Sequence, residues 1–233
     1  MKKVFLTTAA LLIFGAGLFA QAVKDRQVIP VSVNLNQVLR MTITNGGNIE
    51  FVFNSIDDYR NGLSADAATS GSANPASSEG FYQTDFTISS SSRWLVNYGS
   101  EQATFIGTDD ATHTLPLDNV GFSIVNNGTH TFEGTGLAKG TTAGTSLFSA
   151  STDNANDVSA LQVYPVALIE DNDDVTTSNA GDASENSFSL LWRCGTSEGT
   201  TTPMNLVSLL NQQPSPQPDR YVTNVIFELG VDN

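Results

Sequence analysis

Hydrophobic and polar positions alternate along most of this chain. Ile29, Val31, Val33 and Leu35 share one parity, with Ser32 and Asn34 between them. Leu39, Met41 and Ile43 repeat the pattern, and Ile49, Phe51 and Phe53 repeat it again. Side chains of an extended strand point to opposite faces in turn, so such runs are what burial of one face demands. Asn45-Gly46-Gly47-Asn48 separates the second run from the third, and its glycines accept the positive φ of a hairpin turn. The pattern predicts three strands at the start, then one helical turn over Ile56–Asn61 ended by Gly62.

Strand signals resume at Tyr82, Thr84, Phe86 and Ile88, and again at Trp94, Val96 and Tyr98. Val120, Phe122 and Ile124 pair with residues 129–132 through an Asn126-Asn127-Gly128 turn. Residues 161–169 are nearly continuous in apolar character, which suits burial on both faces. Phe188, Leu190, Trp192 and Cys194 alternate, and Tyr221, Val225, Phe227, Leu229 and Val231 share one face of a closing strand. Residues 204–210 read as a short helix, with Pro214, Pro216 and Pro218 stiffening the connection after it. Residues 62–80 and 134–157 read as flexible loops with little to bury. No fixed-period repeat and no long amphipathic helix is present. The expected fold is all-β, an antiparallel β-sandwich of Ig-like or jelly-roll-like type with about nine to eleven strands and long Gly/Ser/Thr/Asn-rich loops.

The first residues change the picture by assigning a compartment. Lys2 and Lys3 precede an almost wholly apolar run, and Ala20-Gln21-Ala22 then offers a small-x-small cleavage site. This is the pattern of a secretory signal, too short and too poorly flanked for a stable anchor. No Cys lies just after it, so a lipoprotein anchor is not expected. Residues 1–22 are therefore expected to be removed, leaving 23–233 as one sandwich domain. That domain is expected to be secreted, extracellular or at the cell surface, with the periplasm as the other location.

Charge narrows the partners. Twenty-four acidic residues against ten basic ones give a net charge of −14, more negative still without Lys2 and Lys3. Such a surface repels phosphate backbones and anionic headgroups, so neither nucleic-acid binding nor membrane insertion after signal removal is expected. Cys194 is the single cysteine, which forbids an intramolecular disulfide. Its parity with Phe188, Leu190 and Trp192 places the thiol on an apolar strand face, where it is expected to be buried and inert.

Candidate chemistry is sparse. Gly195-Thr196-Ser197-Glu198-Gly199 matches a nucleophile-elbow pattern, but that mechanism takes its histidine from later in the chain, and His113 and His130 both precede it. A turn after a strand is the plainer reading. The two histidines also lack the short spacing of a zinc pair. Glu170, Asp171, Asp173 and Asp174 end one apolar run, and Asp153, Asn154, Asn156 and Asp157 form a second acidic group. Both read first as solvated loops; if either holds calcium, which takes six to eight oxygen ligands, it is the first. No other cofactor is expected. Two well-placed carboxylates would suffice for glycoside hydrolysis, yet Trp94 and Trp192 lie in phase with core positions instead of offering sugar platforms. Asn127-Gly128-Thr129 fits a glycosylation sequon, although its turn role explains it better.

Three functional classes fit these residues. The favoured one is a non-enzymatic structural surface protein, a self-associating subunit of an extracellular fibre or adhesive layer. Ile29, Val31, Val33 and Leu35 are its candidate donor strand, able to pair with the sheet edge of another copy. The closing strand is equally regular, so both termini offer pairing surfaces. The alternatives are a monomeric carbohydrate- or calcium-binding module that meets surface glycans, and a carboxylate-based glycoside hydrolase. The order of a signal, Val28-Ile29-Pro30-Val31-Ser32-Val33, repeated short strands, and a closing Asp219-Arg220-Tyr221-Val222-Thr223-Asn224-Val225 resembles secreted bacterial β-sandwich surface proteins of the pilin-like and spore-coat-like kind. That resemblance implies a surface role and self-association, and carries over no site residues.

Overall fold

The computed structural model describes residues 27–65, 82–129, 158–169, 179–199 and 202–232. The chain divides into two units, Met1–Asn36 and Gln37–Asn233. The first contributes residues 27–36 to the description, and they form no strand or helix. The second is an all-β sandwich, as the alternation predicts. Its strands are β1 (Leu39–Asn45), β2 (Leu63–Ser64), β3 (Gln83–Ser90), β4 (Trp94–Ser100), β5 (Thr104–Gly107) and β6 (Thr114–Pro116). They continue with β7 (Val120–Asn126), β8 (Ser159–Ala160), β9 (Val166–Ile169), β10 (Ser187–Cys194), β11 (Tyr221–Val222) and β12 (Val225–Val231).

One sheet runs β1-β3-β10-β7-β8, with β2 also paired to β10. Opposite it lie β12-β4-β9 and β11-β5-β6. Among the described residues, every pair of these strands is antiparallel. The two smaller sheets share one ribbon, because β4 leads into β5 while β11 leads into β12. Between the ladders Glu101 N–H donates to the Asn224 carbonyl at 2.9 Å, and the Ser100 and Thr223 hydroxyls meet at 2.7 Å.

Aromatic rings show that the sheets pack face to face. Tyr98 of β4 meets Phe122 of β7 edge-on at 5.0 Å, Trp94 meets Phe188 at 6.0 Å, and Phe86 meets Phe227 at 6.2 Å. Each ring comes from an alternating position, so one parity of β3, β4, β7 and β10 fills the core. Fully burying one such side chain contributes about 1.5–3 kcal/mol. Trp94, Trp192 and Cys194 are all buried in it, as their phase predicts. The strand β10 is central, and its other face is covered too, where Ser189 and Arg193 are buried.

Several expected elements take a different form. Of the three strands foreseen at the start, only β1 joins a ladder. Its partner is β3, with Met41 opposite Ile88, and no hairpin forms with residues 49–53. Gly46 explains the departure of the chain there: at φ +64° it passes so close to Gln83 that a Cβ would lie 1.7 Å from the carbonyl oxygen. Ile49, Phe51 and Phe53 still pack on the core, with Phe51 stacked on Tyr82 at 4.4 Å, but their backbone joins no ladder among the described residues. The helical turn α1 (Ile56–Asn61) forms as predicted, capped by Ser55 and Asp58 in a reciprocal box and closed by Gly62 at φ +76°.

Residues 204–210 do not form the expected helix. Met204 N–H bonds the Glu198 carbonyl, six residues back, and Asn205 N–H bonds that of Asp118, which holds this segment against the turn after β10 and the turn after β6, and only a 3-10 turn at Leu209–Asn211 forms. Residues 161–169 are not buried on both faces throughout. Val163 is exposed and the strand is confined to β9, after Pro165, which has no N–H for a ladder. The segment expected to return from Gly128 over 129–132 lies outside the described residues except for Thr129, which is not in a strand.

Candidate functional site

The segment of the first unit that precedes β1 has the composition of a buried strand and the exposure of a loop. Ile29, Val31, Val33 and Leu35 are 82, 84, 76 and 91 % exposed. Buried strands hide such residues; here four of them, on one parity, face solvent, with no strand pairing among the described residues. A row of this kind is a contiguous apolar surface, unlike a scattered exposed Leu. No charged residue lies between Arg26 and Arg40, so the segment is also free of the acidic character of the rest of the chain.

Within the second unit, the sheet margins differ in how they end. β1 is a seven-residue edge strand, but its register shifts between Ile43 and Asn45, and Arg40 projects from its outer face. β8 and β11 are two residues long, and β6 is three residues ending in Pro116. β9 runs for four residues with a register shift opposite Val96 and Asn97. Among the described residues, β12 alone is long, regular and free on one side: seven consecutive residues pair with β4 from Val225 opposite Ser100 to Val231 opposite Trp94, without a shift. Bulges, charges, prolines and shortness are the usual means by which proteins blunt an edge. The sole charge on β12 is Glu228, which accepts a short hydrogen bond from the Tyr164 hydroxyl. That bond to a carboxylate raises the Tyr164 pKa.

The inward side chains of this margin are incompletely covered. Val225, Phe227, Leu229 and Val231 of β12 are only part-buried, as are Leu39 and Met41 of β1, while Ile43 is 49 % exposed. β1 and β12 run beside one another along this margin. The inner rows of both edge strands therefore present apolar surface that neither sheet completes.

Polar clusters elsewhere have structural explanations. Asp219 accepts from the backbone N–H groups of Asp109, Asp110 and Arg220 at 3.0, 3.1 and 2.7 Å, and from or with His113 Nδ1 at 3.0 Å. The Asp109 amide bond leads the effects that depress its pKa to about 2. Asp85, on the outer face of β3, takes bonds from Gln83, Ser189 and Asn45; burial alone would raise its pKa, and these bonds outweigh it. Residues 195–199 form a turn with positive φ at Gly195, Ser197 and Gly199, and no helix follows it. Glu198 within that turn pairs with the buried guanidinium of Arg193 at 3.3 Å, which gives the motif an anchoring role. Burial pushes the Cys194 thiol up to about 12.

The other residues singled out from sequence divide by location. His113 is engaged by Asp219 and Asp110, whereas His130 lies outside the described residues. Glu170, Asp171, Asp173 and Asp174 also lie outside them, as do residues 153–157 and the signal-like residues 1–22. Among the described residues, no three His, Cys, Asp or Glu side chains are grouped to hold a metal ion, and no helix is long and apolar enough to cross a membrane. Sequence alternation identified the inner face of β12 but not its free edge, since which margin a strand occupies depends on partners distant in the chain. The one local signal was the scarcity of edge-blunting residues between Val225 and Val231. No protein-family model matches the chain, and no curated protein matches it.

Proposed function

We propose that this chain is a secreted structural protein whose copies associate into a fibre or adhesive layer, each lending residues 29–35 to a neighbour. The observation that carries the reading is the row of four exposed apolar side chains at alternate positions in an unpaired, uncharged segment. Such a segment has two unsatisfied demands, apolar surface to hide and a backbone to pair, and addition to a sheet edge meets both. Fully burying the four side chains would contribute roughly 6–12 kcal/mol. Association itself costs about 4–15 kcal/mol before backbone hydrogen bonds are counted. The balance is close enough that the apolar row decides the outcome.

A carboxylate placed within that row would have to be desolvated on docking. The double variant Val31→Asp/Val33→Asp is therefore expected to elute as a monomer with unchanged far-ultraviolet circular dichroism, while the unaltered protein elutes at high mass. Equal elution of the two proteins at high mass would contradict the reading.

A further inference from the structure

We infer that the acceptor for residues 29–35 is the free edge of β12 in a second copy of this chain. The inference rests on the self-association reading and supplies its other half. Residues 29–35 and Val225–Val231 have the same length and the same pattern, with four apolar side chains on one face and three positions between them. The centre of the first is Ser32, and the centre of the second is Glu228. In a centred antiparallel register these two face each other and the four apolar side chains meet the four of β12.

Edge regularity selects β12 over the other margins. A donor needs a regular row of outward backbone groups, and β12 offers them at alternate residues along a seven-residue unshifted ladder, whereas β1 is interrupted by its register shift. Addition to β12 also extends its sheet over the inward row of β1, covering Met41 and the half-exposed Ile43. Backbone polarity agrees. Adjacent residues of a strand direct their N–H and C=O groups to opposite sides, and Pro30 lacks an N–H. Bonds to β12 from residues 29, 31, 33 and 35 leave Pro30 on the solvent-facing side, where proline is tolerated. The acidic character of the chain does not oppose this contact, because the donor is uncharged and β12 carries one carboxylate.

Cross-linking between differently tagged copies tests the assignment, and the buried Cys194 does not interfere. Ser32→Cys in one copy and Glu228→Cys in the other are mixed and oxidised. The expected product is a disulfide-linked heterodimer, lost when Val31→Asp/Val33→Asp are added to the Ser32→Cys chain. Linkage of Ser32→Cys to Arg40→Cys on β1 instead, in assemblies that still form, would overturn the acceptor while leaving self-association standing. A Ser32→Cys/Glu228→Cys chain that closes only on itself as a monomer would overturn the second copy as partner. Absence of any assembly or cross-link would overturn the self-association reading and this inference together.

Discussion

Asp219 gathers three backbone N–H groups and the ring of His113 on one carboxylate, tying the loop after β5 to the start of the closing ribbon. The fit is close: a Cβ on Gly107 would stand 2.3 Å from Asp219 Oδ2. Its pKa falls from the ordinary 3.8 to about 2, so the folded state holds its proton less tightly than the unfolded chain. The stabilisation is complete above 3.8 and disappears as pH drops through about 2. Asp219→Asn is expected to lower stability at neutral pH and to flatten the stability curve between pH 4 and 2 (roughly the span of the two pKa values). Denaturant unfolding at a series of pH values checks this; parallel curves for the two proteins would contradict it. Asp58, Asp85, Asp110 and Asp182 are also depressed, so the difference between the curves is the informative quantity.

At the scale of elements, one side-chain amide holds both backbone groups of the first residue of β4. Asn179 is fully buried, accepts Trp94 N–H on its side-chain oxygen at 2.9 Å, and donates to the Trp94 carbonyl at 2.7 Å. Its own carbonyl accepts the Trp94 indole N–H at 2.7 Å. Asn179→Ala removes two hydrogen bonds to the Trp94 backbone and is expected to cost roughly 1–3 kcal/mol, at about 0.5–1.5 kcal/mol for each bond. A loss below about 1 kcal/mol in chemical unfolding, no more than an ordinary hydrogen bond, would show that another group replaces the amide. The same strand illustrates what was legible beforehand. Trp94, Val96 and Tyr98 announce an inward row by alternation alone, as do Phe86 and Ile88, and Phe188 to Cys194. Alternation does not say which strand pairs with which. It therefore assigned β1 to a hairpin with residues 49–53, when its ladder partner is β3. Helical spacing at 204–210 misled for a related reason, since the Asn205 amide bonds the Asp118 carbonyl, which is far away in the chain.

The whole molecule combines a strongly acidic chain with a neutral apolar segment beside its sandwich unit in sequence. Net charge of −14 keeps copies apart except where they meet through uncharged surface. Residues 27–39 supply such a surface, and the part-covered row on β1 and β12 supplies another. The row proposed as donor was readable as an alternating apolar segment in the sequence because its alternation is strong. The edge proposed as acceptor was not, because a free edge is a property of the assembled sheets and leaves only a weak trace in composition. A contact between an N-terminal segment of one copy and a distant edge of the next is heterologous, and repeated contacts of that kind propagate into rings or open filaments. Negative-stain electron microscopy of the purified protein tests this most directly. Regular filaments or rings of repeating subunits are predicted, and a field of discrete monomers would contradict the account.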